Sequence, residues 1–553
     1  MRISRKSLLA FIFALVALPL CAADQAKGLD QVVDRVISRE REVDKSLQQY
    51  TPLVETYIQN LSLHEETGNV PSSDRYFLGK ADLRKGVRLQ LLRSKSDTKH
   101  NLFEGFKDWI MLQYEPDGFL QMIFLDTEHF DRQHYKFNYV RREFLGEVRC
   151  LVFDVIPLPK SGKGRFLGRI WVEDQNYTIV RFNGAYRGSN STGIYLSFDS
   201  WRVNAGPGLW VPAAIYSEEN NLSYGLGKRL RFKSQTRLWG YNLGQTQQQE
   251  QELSSIQVES AVPVHDQTET ANGSSPIQAQ RAWNQQAEEN VIHRLDGTGL
   301  LAPPGDVDKV LETVVNNLEV TNDLDIQPEV HCRVLLTTTL ESFTAGHTIV
   351  LSRGLIDVMP DEATLATMLA HELGHIVLGH QIDTQYAFFD RMRFDDKEAF
   401  QHFTLTRTPA EEAAASQKAM ELLKHSPYNN SLRNAALFGL TLDARAKQIP
   451  NLVSPHLGNR VPVSYERQNA SAPPPSKRAG QISPLPLGSR VKLDPWSDRI
   501  QMLKTKAAGS LSEREQKMPF ELTPFMLYLT RQTGASTTPA EKFASAKRRN
   551  NKP

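Results

Sequence analysis

The chain has 553 residues, with 65 Lys and Arg against 63 Asp and Glu and a formal net charge of +2. That length holds two or three domains and a sizeable core, and the balanced, interspersed charge excludes the basic footprint of a nucleic-acid-binding protein. With three cysteines in all, a disulfide scaffold and a cysteine-built zinc site are excluded as well.

Residues 1–23 have the three parts of a cleavable secretory signal. Arg2, Arg5 and Lys6 precede an apolar run over residues 8–20, and Cys21-Ala-Ala23 then leads to Asp24. The expectation is an exported protein, periplasmic or secreted. Lipid attachment at Cys21 is the weaker reading, because Leu20 stands where such sites carry a small residue. No later stretch approaches the roughly 18 apolar residues of a membrane span, so no transmembrane segment is expected once the signal is removed. Cys150 and Cys332 remain, and export would allow them to be free or paired.

Residues 24–70 read as an amphipathic helical segment, with Leu29, Val32, Val33, Val36 and Ile37, then Leu47, Tyr50 and Leu53, at helical spacing. From 71 to 243 the pattern changes to short alternating runs of aromatic and β-branched residues broken by turn signals, which predicts an antiparallel β domain. Residues 168–181 form a hairpin in that reading, with Ile170, Val172, Tyr177 and Ile179 as its apolar positions. The pattern looks like the curved sheets of periplasmic lipoprotein-sorting proteins, a resemblance that implies a membrane-associated or lipidated partner; an ordinary sandwich or meander fits as well. Residues 244–290 turn to Gln, Ser, Glu and Thr and read as a linker, with a short helix near Trp283. The β domain is therefore expected to fold apart from residues 291–460.

Residues 291–460 carry the chemistry. Val307, Val310, Leu311, Val314, Val315 and Leu318 predict a helix, and residues 330–336 and 348–352 predict strands. Residues 344–352 are the candidate sheet edge for adding an extended substrate as a further strand. Next comes His371-Glu372-Leu-Gly-His375, preceded by Asp361 as a cap and buried through Leu365, Met368, Leu369, Leu373, Ile376 and Val377. On a helix the two histidines lie one turn apart on one face and can share a tetrahedral metal, with Glu372 beside it as the general base. The bland alternative, a core helix with two satisfied histidines, leaves Glu372 charged and without a partner. His380 is one position short of the extended HExxHxxGxxH spacing, where Gln381 stands, so it is expected to support the site rather than to ligate.

A later helix opens at Thr408-Pro-Ala-Glu411-Glu412-Ala-Ala-Ala415-Ser416. With the strand running to Ser352-Arg-Gly-Leu-Ile356 and the acid-capped helix into HELGH, this stretch resembles the HtpX and BepA-type metallopeptidases, the family that includes the prenyl-protein (CAAX) endopeptidases. The resemblance covers about residues 305–425. It implies an α+β, zincin-type domain of the gluzincin kind and one Zn2+ per chain. It places the third ligand at Glu412, in the register of a Glu-x-x-Ala-Asp motif whose last position is Ser416 here; the alternative register uses Glu411. Residues 453–460 resemble the family's His-Pro…Arg segment in reversed order, which implies His456 and Arg460 as stabilisers of the oxyanion; a solvated loop is the other reading. Residues 461–553 read as a Pro-rich, partly disordered C-terminal tail with a few short helices.

The function expected is an exported, zinc-dependent metalloendopeptidase acting on polypeptides of a bacterial cell envelope. Zinc is held by His371, His375 and Glu412, and Glu372 takes the proton of the attacking water. Two rivals stand beside it: a non-catalytic envelope binding or chaperone module on a protease scaffold, and a zinc hydrolase of non-peptide bonds.

Overall fold

A computed structural model describes residues 28–64, 68–84, 87–92, 114–187, 196–224, 228–243, 276–382, 405–453, 457–460, 484–503 and 520–532. The expected signal and most of the expected linker lie outside the described residues.

In chain order, helix α1 (residues 28–47) is followed by strands β1 (Leu53–His64), β2 (Gly68–Asp82) and β3 (Arg88–Leu91) and the short helix α2 (Pro116–Gln121). Then come β4 (Tyr135–Leu145), β5 (Val148–Pro157), β6 (Arg165–Glu173), β7 (Ile179–Arg187), β8 (Phe198–Gly206), β9 (Leu209–Tyr224) and β10 (Lys228–Trp239). The chain forms two compact units. One comprises Met1–Gln49, Met122–Pro212 and Met526–Pro553, the other Tyr50–Gln121 and Ala213–Phe525.

The first unit holds the antiparallel meander β4 to β8. The expected hairpin is β6–β7, in register Trp171↔Arg181 and Val172↔Ile179. Its core contains a buried ion pair: Arg202 donates through Nη2 to Glu40 Oε1 at 2.6 Å, both side chains being almost wholly buried. Cys150 is a buried free thiol here, and desolvation pushes its pKa up to about 12, so it is not poised as a nucleophile.

The second unit contains β1, β2, β3, β10 and most of β9. β1 lies between β2 and β10, in register Tyr57↔Tyr76 and Leu53↔Trp239. The expectation of a helical segment over residues 24–70 therefore holds only as far as residue 47. Residues 53–59 are buried without alternation, Glu55, Thr56 and Gln59 included. A strand covered on both faces loses the period-two signature that would have announced it.

The same unit also holds α3 (Pro276–Gly297), α4 (Asp306–Thr321), β11 (His331–Leu335), β12 (Glu341–Ala345), β13 (Thr348–Ser352), α5 (Arg353–Val358), α6 (Glu362–Val377), α7 (Pro409–Lys424), α8 (Leu432–Arg445), β14 (Asn459–Arg460), β15 (Val491–Leu493) and β16 (Ile500–Met502). The small mixed sheet has the order β11-β13-β12-β14, with β11 parallel and β12 antiparallel to β13. β13 is thus interior, and the sheet edge expected over residues 344–352 is confined to the outer side of β12. Even there β14 is paired opposite Glu341 and Ser342. The expected linker ends early, since α3 begins at Pro276 inside it. Cys332 is also a buried free thiol, its pKa raised by desolvation.

The compact units do not divide where the composition changes near residue 243. One tie that joins residues before and after that point is a buried ion pair inside the second unit. Glu55 on β1 faces Arg353 on α5 at 3.2 Å, each about 1% exposed. Thr338 donates its backbone N–H and its hydroxyl to Glu55, Tyr76 adds its hydroxyl at 2.9 Å, and Arg353 Nε donates to Leu336 O at 3.0 Å. Gly354 comes next, at a point where a Cβ would come within 1.8 Å of Thr338 O, so any side chain would push the pair apart. The described parts of the expected tail are packed too: Asp357 accepts the backbone N–H groups of Arg490 and Val491, each at 2.7 Å, and Phe520 and Leu522 are fully buried.

Candidate metal centre

The site is built on α6. Asp361, just after Pro360, caps it by accepting the Thr364 N–H at 2.9 Å and the Thr364 hydroxyl at 2.7 Å. Residues 363–375 are buried all round, so the helix is a core element whose two histidines are held rigidly. His371 and His375 lie at the i, i+4 spacing, and their Nε2 atoms come within 3.3 Å of each other.

Helix α7 supplies the third group. It approaches closely because Gly374 lacks a side chain: a Cβ there would meet Ala415 O at 2.8 Å. Glu412 is thereby carried over the histidines, with Oε2 at 3.2 Å from His371 Nε2 and Oε1 at 3.3 Å from His375 Nε2. The three ligand atoms all lie within 4.8 Å of one another. Burial opposes ionisation of Glu412, yet the two imidazoles hold it down to about 2. Two imidazole nitrogens and a carboxylate oxygen converging on one point are the donor set of a borderline divalent cation such as zinc, so these residues fit one metal ion.

The outer nitrogens are also engaged. His371 Nδ1 lies 3.3 Å from Ser416 Oγ, and His375 Nδ1 lies 2.9 Å from His380 Nδ1. A metal on each Nε2 would leave the proton on Nδ1 to be donated to that partner, which would fix tautomer and ring plane. Ser416, where an aspartate is usual in the motif, thus contacts His371, and His380 faces the outer nitrogen of His375 and lies outside the group of His371, His375 and Glu412.

Glu372 is 3% exposed and points from α6 to β12. Ser342 Oγ donates to its Oε1 and Thr344 Oγ1 to its Oε2, both at 2.6 Å. Sequence reading missed these two hydroxyls. They alternate along the strand with Phe343 between them, a spacing that becomes informative only once β12 is known to lie against α6.

Glu411 has a different task. Its Oε2 accepts the Thr408 N–H at 2.9 Å and the Thr408 hydroxyl at 2.8 Å, closing a capping box at the start of α7. Glu411→Ala should lower stability by about 0.3–1.5 kcal/mol and leave metal content intact, whereas Glu412→Ala should lose the metal. Metal per chain in the purified variants checks this, and equal loss in both would reverse the register.

Arg460 contributes the β14 backbone opposite Glu341, held there by Glu341 Oε2, which accepts the N–H groups of Leu457 at 2.8 Å and Gly458 at 3.2 Å. His456 lies outside the described residues. A residue that sequence reading did not single out, Arg407, reaches the same strand, its Nη2 donating to Thr344 O at 3.0 Å.

Residues 305–393 match the profile of Peptidase family M48. The matched stretch includes α4, the small sheet through β13 and the whole of α6, which supports a metallopeptidase; it ends before Glu412. No curated protein matches the chain.

Proposed function

We propose that this chain is a zinc-dependent metalloendopeptidase that hydrolyses polypeptides in a bacterial cell envelope. The observation that carries the proposal is the convergence of His371, His375 and Glu412 beside a buried carboxylate, Glu372, that two hydroxyls aim. Zinc held by those three side chains would polarise the scissile carbonyl and acidify water.

The chain's own residues do the rest. Glu372 takes the proton of the attacking water at a carboxylate oxygen and returns it to the leaving amine. Ser342 and Thr344 hold both oxygens in place, and because a hydroxyl can accept as well as donate, either can reverse its role when Glu372 is protonated. Burial of α6 keeps bulk water from competing for that proton. The envelope assignment is supported by the signal-like residues 1–23 and by the family resemblance. No helix among the described residues is long and apolar enough to cross a membrane. The β strands are proposed to recruit a membrane-associated or lipidated partner. A non-catalytic scaffold would have no use for a desolvated carboxylate held beside three metal-binding groups.

The test is hydrolysis of casein by the purified protein after chelation and after zinc is restored. Activity that disappears and returns, with one zinc per chain, is the expected result. Cleavage indifferent to chelation, or none in the zinc-loaded protein, would remove the proposal.

A further inference from the structure

Arg407 stands one residue ahead of the cap of α7, and its guanidinium crosses to β12. It donates to the carbonyl of Thr344, the residue whose hydroxyl holds Glu372. Among the described residues β14 pairs with β12 opposite Glu341 and Ser342 and Gly458 lies against Phe343, while the main-chain carbonyl of Thr344, the next residue along, is held by the Arg407 side chain. This is a position where an extended substrate would add to the sheet. Burial pulls the guanidinium below its ordinary pKa, and the carboxylate that offsets this most is Glu372, ahead of Glu411, Glu288 and Glu412. Thr344 thus links a largely buried cation to the base, its carbonyl held by Arg407 and its hydroxyl holding Glu372, where bulk water screens charge weakly.

Resting on the peptidase reading above, we infer that Arg407 is a catalytic residue that binds the substrate main chain and offsets the charge of the tetrahedral intermediate. An amide N–H of the extended substrate takes the Thr344 carbonyl, and the displaced guanidinium takes the carbonyl oxygen of the scissile bond. The water oxygen adds to the carbonyl carbon as its proton passes to Glu372, and the π electrons move to the oxygen that Arg407 holds. The carbonyl re-forms as the C–N bond breaks, and the departing nitrogen receives the proton from Glu372. Arginine suits the task because its planar fork presents several N–H donors and a fixed positive charge to one oxygen.

The experiment compares wild type, Arg407→Ala, Arg407→Lys and Glu372→Gln in the full-length, zinc-loaded protein, reading casein and quenched-peptide hydrolysis, zinc per chain and Tm. Arg407→Ala should lose about 100-fold in kcat, the scale of removing one donor to a developing oxyanion, with KM moving far less. Zinc content and Tm should stay near wild type, Arg407→Lys should recover part of the rate, and added guanidinium should restore part of the activity of Arg407→Ala but none to Glu372→Gln. Wild-type kcat in Arg407→Ala, or a loss accompanied by loss of zinc or a lowered Tm, would overturn the role of Arg407 while leaving the peptidase intact. If wild type itself hydrolyses nothing, the peptidase reading fails, and this inference with it.

Discussion

Glu372→Gln is expected to abolish most hydrolysis, with kcat falling by roughly 10²–10⁴-fold, the usual contribution of a positioned general base. The structure explains why this variant should remain folded and metal-loaded. Glu372 is buried and accepts two hydroxyl hydrogen bonds, from Ser342 and Thr344. In the variant the amide oxygen accepts from one hydroxyl and the amide nitrogen donates to the other, so no buried polar atom is left unpaired. Shape and packing survive; what is lost is the capacity to take a proton. Metal content and Tm near wild type beside a collapsed kcat would make this a chemical loss, and near-wild-type turnover would remove Glu372 from the mechanism. Ser342→Ala should show a smaller fall, since Thr344 still holds one oxygen.

The second large effect concerns stability. Arg353→Ala should destabilise the protein by about 3–5 kcal/mol, because it leaves the Glu55 carboxylate charged and buried without its partner. Glu55 keeps the hydrogen bonds from Thr338 and Tyr76, which orient a carboxylate but do not neutralise it. Urea unfolding reads the change, and the double variant Glu55→Gln with Arg353→Met should lose less than the sum of its single changes, since neither charge then remains. The same pair predicts the fate of a shortened chain beginning at Asn290. Lacking β1, it loses Glu55 and uncovers both Arg353 and the apolar surface packed against that strand, and it should be insoluble or fail to hold metal. A soluble, zinc-loaded fragment from Asn290 onward would show that the pair is dispensable and that the separable β domain expected from the composition is correct.

Local sequence was enough for the parts of the site that local geometry dictates. The spacing of His371 and His375 and the Asp361 cap follow from the period and the open ends of a helix, and both are legible without knowledge of the neighbours. The β6–β7 hairpin was legible for a similar reason, since alternation and a turn signal lie within one short stretch. Glu412 was reached through the resemblance of its motif, but the choice over Glu411 is made by packing: the contact of α7 with Gly374 turns one carboxylate to the histidines, and the capping box takes the other. The groups that aim Glu372 lie 28 and 30 residues before it, and Arg407 lies 63 residues from the carbonyl it holds. No periodicity connects such positions. Burial on both faces likewise erased the alternation of β1, which therefore passed for part of a helical segment. That strand carries Glu55 to Arg353 across 298 residues of sequence, and so the extent of the folded unit around the metal centre was decided by tertiary structure: the desolvation cost of one buried charge can be met only by a partner that the fold brings to it.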